Sequence, residues 1–143
     1  MRKVRGKNIK LRVKNLIEKY NTRNPYELCR RLKITIICRD LGKPKGWFQK
    51  VLRRKYIFLN GELDEYSKLI VLRHELGHAI LHHSEKIGFM KTNFLNYTSE
   101  LEKEANEFAA ELMKYQQEVS YEVARDCDLG LQVLEEMKRY VKY

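Results

Sequence analysis

Near the N-terminus, apolar residues recur at Ile9, Val13, Leu16, Ile17 and Tyr20, a helical spacing that predicts an amphipathic first helix with basic residues on its remaining faces. The stretch NTRNPYELCRRLKI predicts a second helix, which Asn24 can cap with Pro25 in the first helical position and Leu28, Cys29 and Leu32 as the apolar side. Next, ITIICR reads as a strand and GKPKG as a loop. WFQKVL and KYIFLN read as two strands pairing around Arg53 and Arg54 before an Asn60-Gly61 turn, so a small antiparallel sheet is expected. From Asp64 to His83 apolar residues fall on most sides of a helix (Leu69, Ile70, Val71, Leu72, Leu76, Ile80, Leu81), which marks it as central and buried. TSELEKEANEFAAELMKY predicts another helix, opened by an S-x-x-E capping box of Ser99 and Glu102, with Leu101, Ala105, Phe108 and Leu112 as its core stripe. A last helix is expected around Leu131, Leu134, Met137 and Val141. The fold class is α+β: one domain over residues 1–143, with a central helix packed against the small sheet and flanked by other helices.

A chain of 143 residues is about one domain long. Its net charge of +10 is unevenly spread, because residues 1–55 carry 19 Lys and Arg against 3 Asp and Glu, whereas residues 56–143 carry 10 against 16. The basic half suits a solvated face, an acidic protein partner or nucleic acid. Lysine and arginine interrupt the apolar residues at the start, so no secretory signal is expected, and no run approaches the roughly 18 apolar residues of a membrane span. Cys29, Cys38 and Cys127 form no CxxC pair and read as small buried hydrophobes in a reducing, cytoplasmic setting.

The chemistry concentrates in RHELGHAILHH, residues 73–83, which holds all 4 histidines of the chain. His74 and His78 stand at i and i+4, so both imidazoles can reach one metal from one helix face. At roughly 100° per residue, Glu75 projects about 80° from their mean direction, beside a metal and able to touch a water on it. His82 lies about 12 Å along the axis from His74, too far for one ion to take all three rings. His82 and His83 then read as helix-end histidines complementing the dipole. Gly77 in mid-helix costs about 1 kcal/mol against alanine, which suggests that another backbone packs closely there. A hydrolytic zinc site has three protein ligands and an open position, so a third must come from elsewhere. The metzincin pattern is excluded, since Leu81 and Ser84 stand where it needs glycine and histidine. Among the glutamates of the next helix, Glu102 and Glu104 both border the apolar stripe. Glu102 is assigned to the capping box, which favours Glu104, flanked by Leu101 and Phe108.

These residues resemble the ImmA/IrrE metallopeptidases: RHELGHAILHH is similar to that family's zinc-helix motif, and ELEKEANEFAAELM to its second motif. The resemblance covers about residues 10–115 and departs at Arg73 and at MKY, residues 113–115; residues 116–143 lie beyond it as a helical extension. It implies a zincin-like fold, Zn2+ as cofactor, His74, His78 and Glu104 as ligands, and Glu75 as catalytic base. Zinc would make a water acidic and polarise a carbonyl, while Glu75 would take the proton and return it to the leaving amine. Tyr97, His82 and Tyr66 are candidate stabilisers of the tetrahedral intermediate. A free sheet edge beside the zinc helix could take an extended peptide as an added strand. The resemblance further implies a substrate, a helix-turn-helix repressor whose cleavage relieves repression. Two other classes predict different behaviour: a nucleic-acid-binding module with a closed, structural zinc, and a protease-like partner binder that does not cut.

Overall fold

The structure is a computed structural model and describes residues 8–82, 90–91 and 100–114. The expected last helix, the proposed extension, His83, Tyr97, Ser99 and Cys127 lie outside the described residues.

Four helices and a four-stranded sheet make up the described fold: α1 (Ile9–Tyr20), α2 (Pro25–Arg31), β1 (Ile34–Arg39), β2 (Gly46–Val51), β3 (Arg54–Asn60), α3 (Glu65–Leu81), β4 (Met90–Lys91) and α4 (Glu100–Met113). Helix starts are set by side-chain caps. Asn8 Oδ1 accepts from Leu11 N at 3.1 Å, Asn24 Oδ1 from Tyr26 N at 2.9 Å, and Asp64 Oδ1 from Ser67 N at 2.7 Å. Pro25 opens α2, as its fixed φ and missing donor favour.

The sheet is mixed, which corrects the antiparallel expectation. Its order is β1-β3-β2-β4, with β1 parallel to β3 and the β2–β3 and β2–β4 pairs antiparallel. The β2–β3 hairpin forms as its sequence suggests, with Val51 opposite Arg54. However, β3 inserts between β1 and β2, and a parallel pair needs a connection long enough to cross back, which β2 and its flanking loop provide. Asn60 ties that crossover down. Its Nδ2 donates to the carbonyls of Gly42 and Pro44, both at 2.9 Å, while its Oδ1 accepts from Glu62 N at 3.0 Å. A residue that reads from sequence as a turn former is therefore buried, at 4% exposure, and holds β1 and β2 in register around β3.

Helix α3 lies between the sheet and α4, packing on β2 and β3 and on α4, with α2 also against it and α1 against α4. A helix covered on several sides must be apolar on several sides, which is the pattern read along it. Its core neighbours include Leu28, Phe48, Ile57, Phe108 and Leu112. At its C-terminal end, where free carbonyls carry partial negative charge, Lys55 Nζ donates to Ala79 O at 3.1 Å and Arg12 Nη2 to Ile80 O at 3.4 Å. Cys29 is in the core, and burial pushes its thiol up to about 12, an inert state. Cys38 is exposed on β1, an outer strand, so its reading as a buried hydrophobe is corrected.

The expectation of a close backbone at Gly77 is met. A Cβ there would stand 3.0 Å from Phe108 Cβ and 3.2 Å from both Cα and O of Ala105. The α3–α4 spacing thus depends on the absence of a side chain. Replacing Gly77 by valine is expected to lower stability by about 1–3 kcal/mol through overpacking, read as an earlier urea midpoint. An unchanged midpoint would mean that the helices are not in contact there.

Candidate metal centre

Side chains from α3 and α4 converge where the two helices meet. His74 Nε2 lies 3.0 Å from Glu102 Oε1, and His78 Nε2 lies 3.1 Å from Glu102 Oε2. Each residue offers one ligand atom, these atoms all lie within 4.8 Å of one another, and all three residues are buried. The two imidazoles meet edge to face with centroids 4.8 Å apart, as one helical turn places them.

At the third position the structure departs from the sequence reading. Glu102, taken there as a capping residue, stands with the two histidines; Glu104 instead faces His82, with His82 Nε2 2.8 Å from its Oε1. The reason is how α4 is rotated. At about 100° per residue, Glu102 lies about 60° to one side of Ala105 and Glu104 about 100° to the other. Leu101 and Phe108 pull the apparent centre of the stripe toward Glu104. The buried face extends the other way, through Ala109 and Asn106, and Leu101 is only half-buried. Small Ala105 meets Gly77, and this brings the Glu102 side of α4 onto the histidines.

Asn106 is a site residue that the sequence reading missed. One turn beyond Glu102, its Oδ1 accepts from His74 Nδ1 at 2.8 Å, which leaves the Nε2 lone pair of His74 facing the cluster. The available signal was the i, i+4 spacing of Glu102 and Asn106, with small Ala105 and Ala109 beside them on the helix. Tyr66 sits on the first turn of α3, about 12 Å along the axis from His74, and is not brought to the cluster. His82 stands behind His78 with Nδ1 to Nδ1 at 2.9 Å, outside the ligand cluster as helix rise requires.

Electrostatics fit a cation between these groups. Burial alone would raise Glu102, but its contacts with the His74 and His78 imidazoles outweigh it and hold the carboxyl at about 2. Burial pushes His78 down, toward the neutral ring a metal needs. Burial raises Glu75 well above the usual carboxylate range; Glu102 adds to the rise, and the Phe48 N–H on β2 opposes it too weakly. Both Glu75 oxygens and His78 Nε2 are buried without a hydrogen bond of good geometry. Such groups are costly to bury unless something else binds them, and two imidazole nitrogens with one carboxylate form a metal donor set.

The family model of the IrrE N-terminal-like domain, peptidase family M78, matches residues 29–138. The chain belongs to this family. Relatives of this M78 chain include the immunity region protein 2 of Bacillus phage phi105, 42% identical over 106 residues, covering 73% of this chain and 67% of the relative. Metallopeptidase ImmA of Bacillus subtilis (strain 168) is 34% identical over 112 residues, covering 76% of this chain and 64% of that protein. The chain thus spans about two thirds of the length of either relative. No solved structure matches it. Membership agrees with an α+β fold and with a metal ion, for which His74, His78 and Glu102 form a candidate cluster. No described helix is long and apolar enough to cross a membrane.

Proposed function

We propose that the chain is a zinc-dependent endopeptidase in which His74, His78 and Glu102 hold the metal and Glu75 carries the proton. The observation that carries this reading is the buried two-imidazole, one-carboxylate cluster beside a buried Glu75 that is not itself part of it. Hydrolytic zinc sites use three protein ligands of these types and keep a fourth position open. Zinc, when bound, supplies a Lewis acid that polarises a peptide carbonyl and makes water acidic near neutral pH. Glu75 would accept a proton from the attacking water and return it to the leaving amine. Its burial raises its proton affinity toward what a group needs in order both to take and to release a proton near neutral pH. Asn106 orients His74 for the same task.

The substrate proposed is a helix-turn-helix repressor, cut once to relieve repression in the cytoplasm by a single peptidase domain spanning residues 1–143. Support comes from the immunity region named for the phage relative and from the metallopeptidase named in Bacillus subtilis. The basic half of the chain, 19 Lys and Arg against 3 acidic residues, would draw in a repressor with an acidic segment or one seated on DNA. Cleavage should therefore slow as salt rises, because the Debye length falls from about 10 Å at 0.1 M to about 3 Å at 1 M. Incubating the zinc-loaded protein with the repressor encoded beside it, across a salt series, and reading fragments by mass spectrometry tests both points. One cut that slows with salt is expected. Equal cutting of unrelated unfolded proteins would sink the regulatory reading, and a rate indifferent to salt would remove the steering.

A further inference from the structure

Behind the cluster runs a second line of polar contacts that metal binding alone does not require. His78 Nδ1 lies 2.9 Å from His82 Nδ1, and His82 Nε2 lies 2.8 Å from Glu104 Oε1. The line is withdrawn from water: the side chains of His78 and His82 are 0% and 1% exposed, and that of Glu104 is 15% exposed.

The proton positions along it follow from the end group. With the Glu104 carboxylate as acceptor, His82 donates to it from Nε2. The other ring nitrogen of His82 then accepts across the 2.9 Å contact, from His78 Nδ1–H. That leaves the lone pair of His78 on Nε2, the nitrogen facing His74 and Glu102. His74 is held by the same logic in one step, through Asn106, whereas His78 is held in two.

We propose that His82 and Glu104 are positioning residues: Glu104 sets the tautomer of His82, which accepts from His78 Nδ1–H and so presents His78 Nε2 to the metal. The proposal rests on the reading of His74, His78 and Glu102 as ligands and deepens it. Outer partners of this kind contribute about 10–100-fold to metal affinity.

Two measurements test it. Zinc affinity, by competition with a chelator, is compared among the parent, His82→Ala, Glu104→Ala and His82→Gln. Nitrogen-15 NMR of histidine-labelled, metal-free protein reads the tautomer of His78. The alanine variants are expected to take up one zinc still, with affinity weaker by about 10–100-fold. His82→Gln should recover most of the loss, since its amide oxygen can accept from His78 while its NH2 donates to Glu104. The parent should show His78 protonated on Nδ1, and His82→Ala should lose that preference. Alanine variants that match the parent, a glutamine variant no better than alanine, or His78 protonated on Nε2 in the parent would each overturn the proposal while leaving the ligand assignment standing. A parent that takes up no zinc overturns the metal reading, and this proposal with it.

Discussion

The Glu75→Gln protein is expected to bind metal as tightly as its parent and to hydrolyse peptide about 10²–10⁴-fold more slowly, the range that a positioned proton carrier contributes. Glutamine keeps the shape of the side chain but cannot take a proton. Glu75 is outside the ligand cluster and its oxygens make no hydrogen bond of good geometry, so the change removes chemistry with little structural loss. It also removes an ionisable group from a fully buried position, so the metal-free variant should resist urea at least as well as the parent. Metal content, chelator competition and single-turnover cleavage of the substrate, measured on the same preparation, check each part. Unchanged hydrolysis would remove Glu75 from the mechanism. Lost hydrolysis with lost metal or a lower urea midpoint would trace the effect to the fold instead.

Much of the fold was legible because short-range rules decided it. Asn24 followed by Pro25, Asp64 ahead of an apolar helix, and two strand-like runs meeting at Arg53 and Arg54 each carry their own cap or turn, and the structure uses all three. Strand pairing carries no such label. The run ITIICR has the composition of a strand whichever neighbour it takes, and its parallel partner, KYIFLN, is chosen by where the 40–45 loop crosses. The residue that enforces the choice, Asn60, does so through contacts to Gly42 and Pro44, far from it in sequence.

The site divides along the same line. His74, Glu75 and His78 lie within one turn of one helix, so the 3.6-residue period sufficed to place them. The partner side depends on the rotation of α4 about its axis, and both the S-x-x-E pattern, which assigns Glu102 to a cap, and the apolar Leu101 and Phe108 beside Glu104 point away from the face that is buried. In the structure small residues govern the contact: Gly77 and Ala105 set how close the helices come, and Glu102 and Asn106, at i and i+4, are the polar groups delivered to His74. The missing side chain of Gly77 and the small one of Ala105, as much as the apolar positions, mark the face of α4 that meets α3.

Replacing Glu102 by alanine should therefore cost more metal affinity than replacing Glu104. Glu102 offers a carboxylate oxygen within the 4.8 Å cluster, so its removal is expected to weaken zinc binding by more than about 100-fold, beyond the roughly 10–100-fold of an outer partner such as Glu104. The metal-free fold should respond less, because the Glu102 carboxylate, at 8% exposure, is offset mainly by its contacts with two histidines. Glu102→Gln separates charge from shape: its amide keeps one oxygen for His74 or His78 but removes the negative charge that a dication needs. It should lose nearly as much affinity as alanine while unfolding at a urea concentration close to that of the parent. Chelator competition on Glu102→Ala, Glu102→Gln and Glu104→Ala, with urea midpoints of the metal-free proteins, orders the three. If Glu104→Ala loses more zinc affinity than Glu102→Ala, the third ligand is the one that the family resemblance implies, and α4 must sit rotated from the position described for it.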